Sequence, residues 1–395
     1  MKKLLLKPFR MLFAPLARMW KRLPKKTTVS VELGKDIPGK VVSTVSVEWA
    51  KHPEERAPRI LSTVIAGVGK YVPENIISSE FIEERLALEE KCNARKGTIE
   101  AITGVKERRH ISTGEFSSDM AFRASQRALE QAGISADEID LIIFASASHD
   151  IAEPATANIL QDKLEAWNAH AFDVKNACNS ALNALDIMDA YIKTGRCRVG
   201  LVAAGETLSQ FINWDINTPE DLQLGLAGLT LGDGGGGVVL KASDDLERGI
   251  KASYFASEGS SWRVATVMGG GSRFPHDSSQ MYFVSNSIQL AKLAIVNIPR
   301  AIKAVLQKTG WQAGDVTLVV PHQVTYQLIE RISRISGIPF EKCMITVTKY
   351  GNTAAASIPI ALAEAVETGR VKQGDKVLLV GGAAGWSTAV MAVVL

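Results

Sequence analysis

The fold is decided by the stretch Asn176-Ala177-Cys178-Asn179-Ser180-Ala181, which separates an apolar run from a long alanine- and leucine-rich segment. The apolar run, Ala171-Phe172-Asp173-Val174, predicts a strand, and the segment after the stretch predicts a helix. Cys178 is therefore expected in a tight turn at a helix N-terminus, where unpaired backbone N–H groups and the helix dipole favour negative charge. We expect such a thiol to ionise easily and to act as a nucleophile.

A second copy of this arrangement lies near the C-terminus. There, Gly351-Asn352-Thr353 precedes an apolar helical run, the triplet Thr368-Gly369-Arg370 and an apolar strand. The segment after Cys178 ends in the matching triplet Thr194-Gly195-Arg196, which is also followed by an apolar strand. The triplets are 174 residues apart (194 to 368), and the same offset places Cys178 on Asn352 (178 to 352). The repeat predicts two similar halves whose helix starts face a common point.

A histidine follows an equivalent strand of the second half. Leu141 and Leu318 belong to matching apolar runs, 177 residues apart (141 to 318), and the second run ends in Pro321-His322-Gln323. Open α/β sheets bind their ligands outside the carboxyl ends of the strands. We therefore expect His322 to meet Cys178 and Asn352 at one crevice.

Six motifs follow one another between about Thr63 and Leu395. They are Gly67-Val68-Gly69-Lys70-Tyr71-Val72-Pro73, Thr103-Gly104-Val105-Lys106-Glu107-Arg108, the Cys178 turn, Leu231-Gly232-Asp233-Gly234, Val320-Pro321-His322-Gln323 and Tyr350-Gly351-Asn352-Thr353. Together they resemble the type III ketoacyl-acyl carrier protein synthases of the thiolase superfamily. The resemblance implies an α/β fold with five αβαβα layers built from two similar halves, and a homodimer. It also implies an acyltransferase that condenses a Cys-bound acyl group with a malonyl-type thioester, in fatty acid, polyketide or related secondary lipid synthesis.

The resemblance assigns roles to single residues as well. It implies that Cys178 carries the acyl group, that the backbone N–H groups of Cys178 and Ala384 bind the oxyanion, and that His322 and Asn352 bind the extender. Neutral imidazole and carboxamide groups donate hydrogen bonds without fixed charge, which suits a developing oxyanion. Three further residues are expected at the substrate site: Glu206, Gln323 and Gly382.

Three positions depart from the family pattern. Gly97-Thr98-Ile99 stands where the family has a tryptophan that stacks on the adenine of coenzyme A, and Gln327 replaces an arginine that serves the carrier. Gly382 takes the place of an aromatic wall beside Cys178, which predicts a wider acyl pocket. The partners are therefore expected to be an acyl thioester and a malonyl-type thioester, with either coenzyme A or acyl carrier protein as the carrier.

Other segments carry weaker signals. The ranges 207–230 and 255–285 lack clear periodicity and are predicted to form loops over the acyl pocket. The first range holds leucines that indicate an apolar substrate or a dimer contact: Leu222, Leu224, Leu226 and Leu229. Gly232 to Gly237 fits the pattern G-x-G-x-x-G, but an apolar strand follows where a nucleotide fingerprint needs a helix, so the glycines are predicted to allow close backbone packing. His149 is predicted to have a wall or structural role.

The chain is predicted to have three parts: a basic amphipathic extension and linker, 1–60; a half with the nucleophilic cysteine, 61–245; and a half with the histidine and asparagine, 246–395. Residues 1–26 hold nine basic residues and no acidic one, and their apolar stretches are too short to span a bilayer. We expect a cytoplasmic protein whose residues 1–26 make peripheral contact with membranes. A disordered tail and a partner-binding arm are the alternatives for this segment.

Composition limits the remaining chemistry. With 395 residues, 46% hydrophobic content and a net charge of +3, the chain suits one large soluble unit or two fused similar halves, and no nucleic-acid partner is expected. The four cysteines are scattered without paired or metal-ligand spacing: Cys92, Cys178, Cys197 and Cys343. We therefore expect a reducing compartment, no disulfide, no metal and no cofactor.

Three alternatives stay open at the level of sequence. A papain-like hydrolase also has Cys, His and Asn in this order, but there the asparagine orients the histidine, whereas Asn352 is expected to face the substrate. A non-catalytic or acyl-transferring subunit of a heteromeric synthase would account for the missing carrier residues. A non-decarboxylating condensation of two acyl thioesters would use Glu206 as its base.

Overall fold

The computed structural model describes residues 61–395. The membrane contact predicted for residues 1–26, and the whole extension 1–60, lie outside the described residues. Within the described range, no helix has the length and apolar character needed to cross a membrane.

The strands of residues 61–395 build two large sheets and two small ones. Their bounds are β1 Ser62–Tyr71, β2 Asn75–Ser78, β3 Glu107–His110, β4 Leu141–Ala145, β5 His170–Val174, β6 Val199–Glu206, β7 Gly234–Ser243, β8 Gly249–Ser257, β9 Ala265–Val267, β10 Phe283–Ser285, β11 Leu318–Pro321, β12 Lys376–Ala383 and β13 Ser387–Val394.

The helices pack on these sheets or connect them. The α-helices are α1 Ser79–Leu86, α2 Leu88–Cys92, α3 Thr98–Thr103, α4 Ser117–Ala132, α5 Thr156–Leu164, α6 Ser180–Lys193, α7 Pro219–Gly225, α8 Ser287–Thr309, α9 Tyr326–Ser336, α10 Val347–Tyr350 and α11 Ser357–Glu367. Short 3-10 turns are Ala136–Glu138, Leu208–Phe211, Gly228–Thr230, Gly259–Val264, Ser278–Gln280, Ala313–Asp315, Phe340–Lys342 and Ala354–Ala356.

The two large sheets repeat one topology. The first has the order β1-β7-β6-β4-β5, and the second has the order β8-β13-β12-β11. In both, the strands from the outer edge pair antiparallel, antiparallel and then parallel. β5 is the last strand of the first sheet. At the equivalent position of the second sheet, beside β11, the described residues form only an isolated bridge between Val319 and Cys343. The predicted internal repeat is therefore visible in the strand order.

The layers follow from the alternation of side chains along the strands. In β4, Leu141, Ile143 and Ala145 pack in a core with α6, α11 and the second sheet, whereas Ile142 and Phe144 pack against α4 and α5. The second sheet packs its other face on α8 and α9. The order of layers is thus helices α4 and α5, first sheet, helices α6 and α11, second sheet, helices α8 and α9. This is the predicted five-layered αβαβα architecture.

The helical segments that follow the two candidate residues have equal lengths. Helix α6 has 14 residues and begins two positions after Cys178. In the second half, the three-residue 3-10 turn Ala354–Ala356 runs directly into the eleven residues of α11, and this segment begins two positions after Asn352. The offset of 174 residues therefore aligns both helix starts, although the first turn of the second copy is wound more tightly.

Two elements of the first half have ends that follow from their sequence. The first of the two matching apolar runs forms the strand Leu141–Ala145, and α4 stops before Gly133, which has a φ of 63°. The ranges 207–230 and 255–285 are not wholly irregular, because they contain α7, several 3-10 turns and the small β9–β10 sheet. Their short elements carry too few residues for a periodic pattern to be recognisable.

Glycines let α4 and α11 approach the first sheet closely, as predicted for the segment 232–237. A Cβ atom on Gly235 would lie 2.2 Å from the carbonyl oxygen of Met120 in α4. A Cβ atom on Gly236, which points to the opposite face, would lie 2.4 Å from Cβ of Pro359 in α11. Helices therefore pack directly against the backbone of β7 on both faces, which leaves no room for a nucleotide.

Candidate functional site

The turn that carries Cys178 is held by its own polar groups. Ala177 has a φ of 47°, which is uncommon for a residue with a side chain. The hydroxyl of Ser180 accepts a hydrogen bond from the backbone N–H of Asn176 (2.7 Å) and donates one to the carbonyl of Ala177 (2.7 Å). These bonds fix the reversal between β5 and α6, with Cys178 at its tip.

Asn179 ties this turn to the second half of the chain. Its Nδ2 group donates hydrogen bonds to the carbonyl oxygen and the hydroxyl of Ser387, at 3.1 Å and 2.9 Å. Its Oδ1 atom lies where a Cβ atom on Gly381 would be only 2.0 Å away, so a residue larger than glycine cannot fit there. The turn is therefore locked against β12 and β13.

The electrostatic surroundings of Cys178 differ from the expectation of an easily ionised thiol. Burial, together with the nearby carboxylate of Glu206, raises the pKa of Cys178 to about 12. The backbone N–H groups of Cys178 and Ala384 act in the opposite direction by hydrogen bonding to the sulfur, but they do not offset burial. The part of Cys178 that is exposed faces a cavity rather than open solvent. The expectation overestimated how far the helix N-terminus lowers the pKa of the thiol, because desolvation of the charged thiolate raises that pKa by more.

His322 follows β11 directly, as expected from the sequence. Its backbone N–H donates to the carbonyl of Val380 in the neighbouring strand (2.7 Å), and its Nδ1 atom is 2.7 Å from the hydroxyl of Ser357 at the start of α11. Burial lowers the pKa of His322 to about 4, so the imidazole is neutral at physiological pH. If the Ser357 hydroxyl donates to Nδ1, the ring hydrogen lies on Nε2.

Asn352 is fixed by three hydrogen bonds. Its backbone N–H donates to the carbonyl of Thr230 (2.8 Å), and its carbonyl accepts from the N–H of Gly232 (3.0 Å). Its side-chain Oδ1 accepts from the N–H of Ala354 (3.0 Å). Because the oxygen is engaged, the Nδ2 group is the part left for a ligand. Within the described residues, Asn352 and His322 share no hydrogen bond, unlike the pair in a papain-like site.

One cavity of about 260 Å³ brings the predicted residues together. Its wall includes Cys178, His322, Asn352, Gly382 and Ala384. The remaining wall is mostly apolar and comes mainly from α8, α9 and the second sheet, with further residues from α3, the segment 226–230 and β10. The cavity is therefore suited to an apolar molecule with one polar, reactive end.

Glu206 and Gln323 were expected at the substrate site, but neither lies in the cavity wall. The buried carboxylate of Glu206 accepts hydrogen bonds from backbone N–H groups at Ala147 (2.9 Å), Ser148 (3.1 Å) and Ala355 (3.2 Å), and from two serine hydroxyls. A carboxylate so fully engaged is not placed to remove a proton from a substrate. It instead supports the turn that follows Asn352.

Gln323 is engaged in the same way. Its Nε2 group donates to the carbonyls of Pro321 (2.8 Å) and Met344 (2.9 Å), and its Oε1 accepts from the N–H groups of Thr346 (2.8 Å) and Val347 (3.0 Å). It therefore joins the end of β11 to the start of α10. The sequence could not distinguish this role from substrate contact, because the partners are all backbone atoms.

The other predicted positions separate into two groups. His149 pairs with Asp173 at 3.1 Å and lies outside the cavity, consistent with a structural role. Of the four leucines that indicated an apolar substrate or a dimer contact, Leu226 lines the cavity, Leu224 is exposed, and Leu222 and Leu229 pack in a neighbouring core. Among residues 61–395 no cluster of acidic, histidine and cysteine side chains could hold a metal ion, and all four cysteines are free.

Sequence reasoning missed the residues that position the site. Ser357 holds His322, and Asn179 holds the Cys178 turn, but both look like ordinary helix-start residues in sequence. Three residues with side chains adopt a positive φ beside the site: Ala177, Ala354 (37°) and Trp386 (28°). Each lies within two residues of Cys178, Asn352 or Ala384, and such strain is typical of functional loops.

Comparison with known proteins agrees with this arrangement. Two sequence models of 3-oxoacyl-acyl-carrier-protein synthase III match the chain: one at residues 172–259, the other, its C-terminal domain, at residues 306–395. A beta-ketoacyl-acyl-carrier-protein synthase III of Clostridium perfringens is 35% identical over 333 residues, which cover 83% of this chain and 98% of that protein.

Solved structures extend the likeness to three dimensions. The crystal structure of 3-oxoacyl-acyl-carrier-protein synthase III from Aquifex aeolicus is 33% identical, with a TM-score of 0.75, and the match covers 84% of this chain and all of that one (100%). A Cys-to-Ser variant of Xanthomonas campestris OleA, crystallised with lauric acid and lauroyl-CoA, is 27% identical with a TM-score of 0.77, and the match covers 85% of this chain and 100% of that chain.

Proposed function

Because the chain belongs to the 3-oxoacyl-acyl-carrier-protein synthase III family, we propose that it is an acyltransferase that works through Cys178, His322 and Asn352. The reaction is the decarboxylating condensation of an acyl thioester with a malonyl thioester in fatty acid or related lipid synthesis. The observation that carries the assignment of residues is their convergence on one apolar cavity. The thiolase-like fold of the family is also the fold of this chain.

The first step loads the acyl group. The sulfur of Cys178 attacks the carbonyl carbon of the acyl thioester, and the backbone N–H groups of Cys178 and Ala384 stabilise the oxyanion that forms. The carrier leaves as a thiol with the proton that the cysteine gives up, so one thioester replaces another. Because the raised pKa keeps the Cys178 thiol protonated, loss of its proton must accompany attack of the sulfur on the carbonyl carbon.

The second step forms the new carbon–carbon bond. His322 and Asn352 donate hydrogen bonds to the carbonyl oxygen of the malonyl thioester while the bond to its carboxylate breaks and carbon dioxide leaves. The electron pair of that bond becomes the enolate, which these neutral donors stabilise. The enolate carbon then attacks the acyl group on Cys178, and collapse of the tetrahedral intermediate releases the 3-oxoacyl product and the Cys178 thiolate. A proton taken up from solvent restores the thiol.

The carriers and the assembly complete the proposal. We assign coenzyme A to the acyl donor, because OleA was crystallised with lauroyl-CoA, and acyl carrier protein to the malonyl extender, because the relatives are named acyl-carrier-protein synthases. The protomer forms a homodimer through β5, which pairs only with β4 in the described part of the chain and so offers a free sheet edge. The two halves divide at 245/246, between β7 and β8.

Separation of the two steps tests the residue roles. Cys178→Ala should abolish the mass increase that acyl-coenzyme A produces on the intact protein. Asn352→Ala should still load, but should slow release of carbon dioxide from malonyl-acyl carrier protein by roughly 10²–10³, the usual cost of one oxyanion donor.

Asn352→Asp is the matched variant, because it keeps an oxygen for the N–H of Ala354 but loses the donor. It should fold as wild type does and condense as poorly as Asn352→Ala. Normal condensation in either variant would remove Asn352 from the mechanism, and acyl loading without any carbon dioxide release in wild type would exclude the decarboxylating reaction.

A further inference from the structure

The cavity continues beyond the three reactive residues into the outer part of the second half. One face of α8 lines it with residues four positions apart, from Leu290 through Ala294 and Ile298 to Ile302. At 1.5 Å per residue, these positions extend along roughly 18 Å of the helix. The opposite side consists of Val319 in β11 and apolar residues of α9.

The far end of this channel is lined by α9 and by the segment that replaces a fifth strand. Ile332 in α9, Ile338 and Cys343 line it there. Cys343 forms the isolated bridge with Val319, and both residues line the channel where a full strand would otherwise lie. The reactive end lies at His322, three positions after Val319 along the chain. The channel is thus an apolar extension of the reactive site toward Ile338 and Cys343.

Gly382 stands at the junction between the reactive site and this channel. It lies two residues before Ala384, whose N–H group contacts the sulfur of Cys178. A Cβ atom on Gly382 would be 3.1 Å from Cδ1 of Ile298 and 3.2 Å from Cη2 of Trp386. A single methyl group therefore fits only if its neighbours shift slightly, and a larger side chain would fill the passage. The φ of Gly382 is not positive, so conformational freedom does not account for the glycine.

We propose that the channel holds the alkyl chain of the acyl group on Cys178, that this chain is longer than hexanoyl, and that Gly382 determines this preference. The inference deepens the proposed function and rests on it. An apolar cavity of about 150 Å³ already accommodates benzene. The 260 Å³ cavity would be left largely empty by an acetyl group, even when part of it receives the arm of the carrier.

The apolar wall predicts how strongly chain length should matter. Burial of a methylene group contributes about 0.8 kcal/mol, which is about a fourfold gain in rate or affinity for each added methylene. The gain should continue until the alkyl chain reaches the end formed by Ile338 and Cys343 and then stop. A side chain inserted at Gly382 should remove the gain for every methylene that would pass it.

The test is the rate at which Cys178 is acylated by acetyl-, hexanoyl-, dodecanoyl- and hexadecanoyl-coenzyme A, followed by intact-protein mass spectrometry. In wild type, the dodecanoyl-to-acetyl ratio of rates should be well above one. Gly382→Val should lower that ratio by about tenfold or more, because several methylenes lose their burial. Gly382→Ala should lie between the two.

A matched pair of substitutions on α9 tests the position of the alkyl chain independently of Gly382. Ile332 lines the channel, whereas Ile335, three residues on, is 49% exposed and outside it. Ile332→Trp should reduce loading of hexadecanoyl relative to hexanoyl by about tenfold, and Ile335→Trp should leave the ratio at its wild-type value. Circular dichroism checks that each variant folds. If a variant does not fold, the acylation rates of wild type with the four chain lengths still test the proposal.

The outcomes separate the two proposals. Loading of Cys178 by acetyl and not by dodecanoyl groups would overturn the channel assignment and leave the condensing function intact. Equal effects of Ile332→Trp and Ile335→Trp on the ratio would also overturn it. Failure of every thioester to load Cys178 would instead overturn the proposed function.

Discussion

Replacing His322 by Asn should make the folded protein less sensitive to acid. The pKa of His322 is lowered from 6.5 to about 4 by burial, whereas in the unfolded chain it returns to its ordinary value. The unfolded chain therefore binds the proton first as the pH falls. The stability that depends on a neutral His322 is complete above the unfolded pKa and is lost as the pH falls toward the folded pKa.

The size of the effect follows from the two pKa values. At about pH 5, the imidazole is almost fully protonated in the unfolded chain and still mostly neutral in the fold, so wild type loses about 2 kcal/mol relative to its value near pH 7.5. The Asn side chain does not titrate and can still hydrogen-bond the hydroxyl of Ser357. The difference in unfolding free energy between wild type and His322→Asn should therefore change by about 2 kcal/mol between these pH values.

Urea unfolding at the two pH values measures this difference. Equal dependence of the unfolding free energy on urea concentration in both proteins verifies that their unfolded states are alike. His110 provides a second case, because burial and the charge of Arg108 lower its pKa to about 4 as well. His110→Asn should show a change of the same sign, since both imidazoles are kept neutral in the fold. Parallel pH profiles for wild type and His322→Asn would refute the reasoning.

Three further predictions concern the turn and its supports. Asn179→Ala removes both hydrogen bonds to the second sheet and should destabilise the protein by about 1–3 kcal/mol in urea unfolding. Gly381→Ala should cost at least as much, because its Cβ would lie 2.0 Å from Oδ1 of Asn179, whereas Gly382→Ala should cost less in the same assay. Glu206→Gln removes a negative charge that raises the pKa of Cys178, so the pH profile of iodoacetamide alkylation should shift to lower pH. An unshifted profile would mean that Glu206 carries no charge near the sulfur.

The fold was predictable because its signals are local and repeated. The apolar run at Leu141–Ala145 is a strand with both faces buried, and a helix ends at Gly133 because glycine adopts the left-handed conformation without cost. The repeat then placed two helix starts together without any knowledge of packing. The family resemblance, carried by motifs in fixed order, supplied the five layers and is confirmed by the relatives.

The convergence of Cys178, His322 and Asn352 on one cavity was predictable from the sequence, but the contacts around them were not. Cys178, His322 and Asn352 follow strands or precede helices, so topology alone brings them to one place. Glu206 and Gln323 were misplaced because a polar residue near such an edge can face either the ligand or the backbone, and only the folded chain decides which. Desolvation is similarly invisible in sequence, so the ionisation of Cys178 was expected with the wrong sign.

The middle layer of helices has a consequence for synthesis of the chain. Helices α6 and α11 come from different halves, yet they share one core with both sheets. When the ribosome has made only the first half, the inward face of its sheet and much of α6 still lack their covering partner. That face is an apolar surface open to association with other chains until the last strands emerge. The first half should therefore be aggregation-prone on its own, and a chaperone that covers this face during translation would raise the yield of folded protein more than one acting after release.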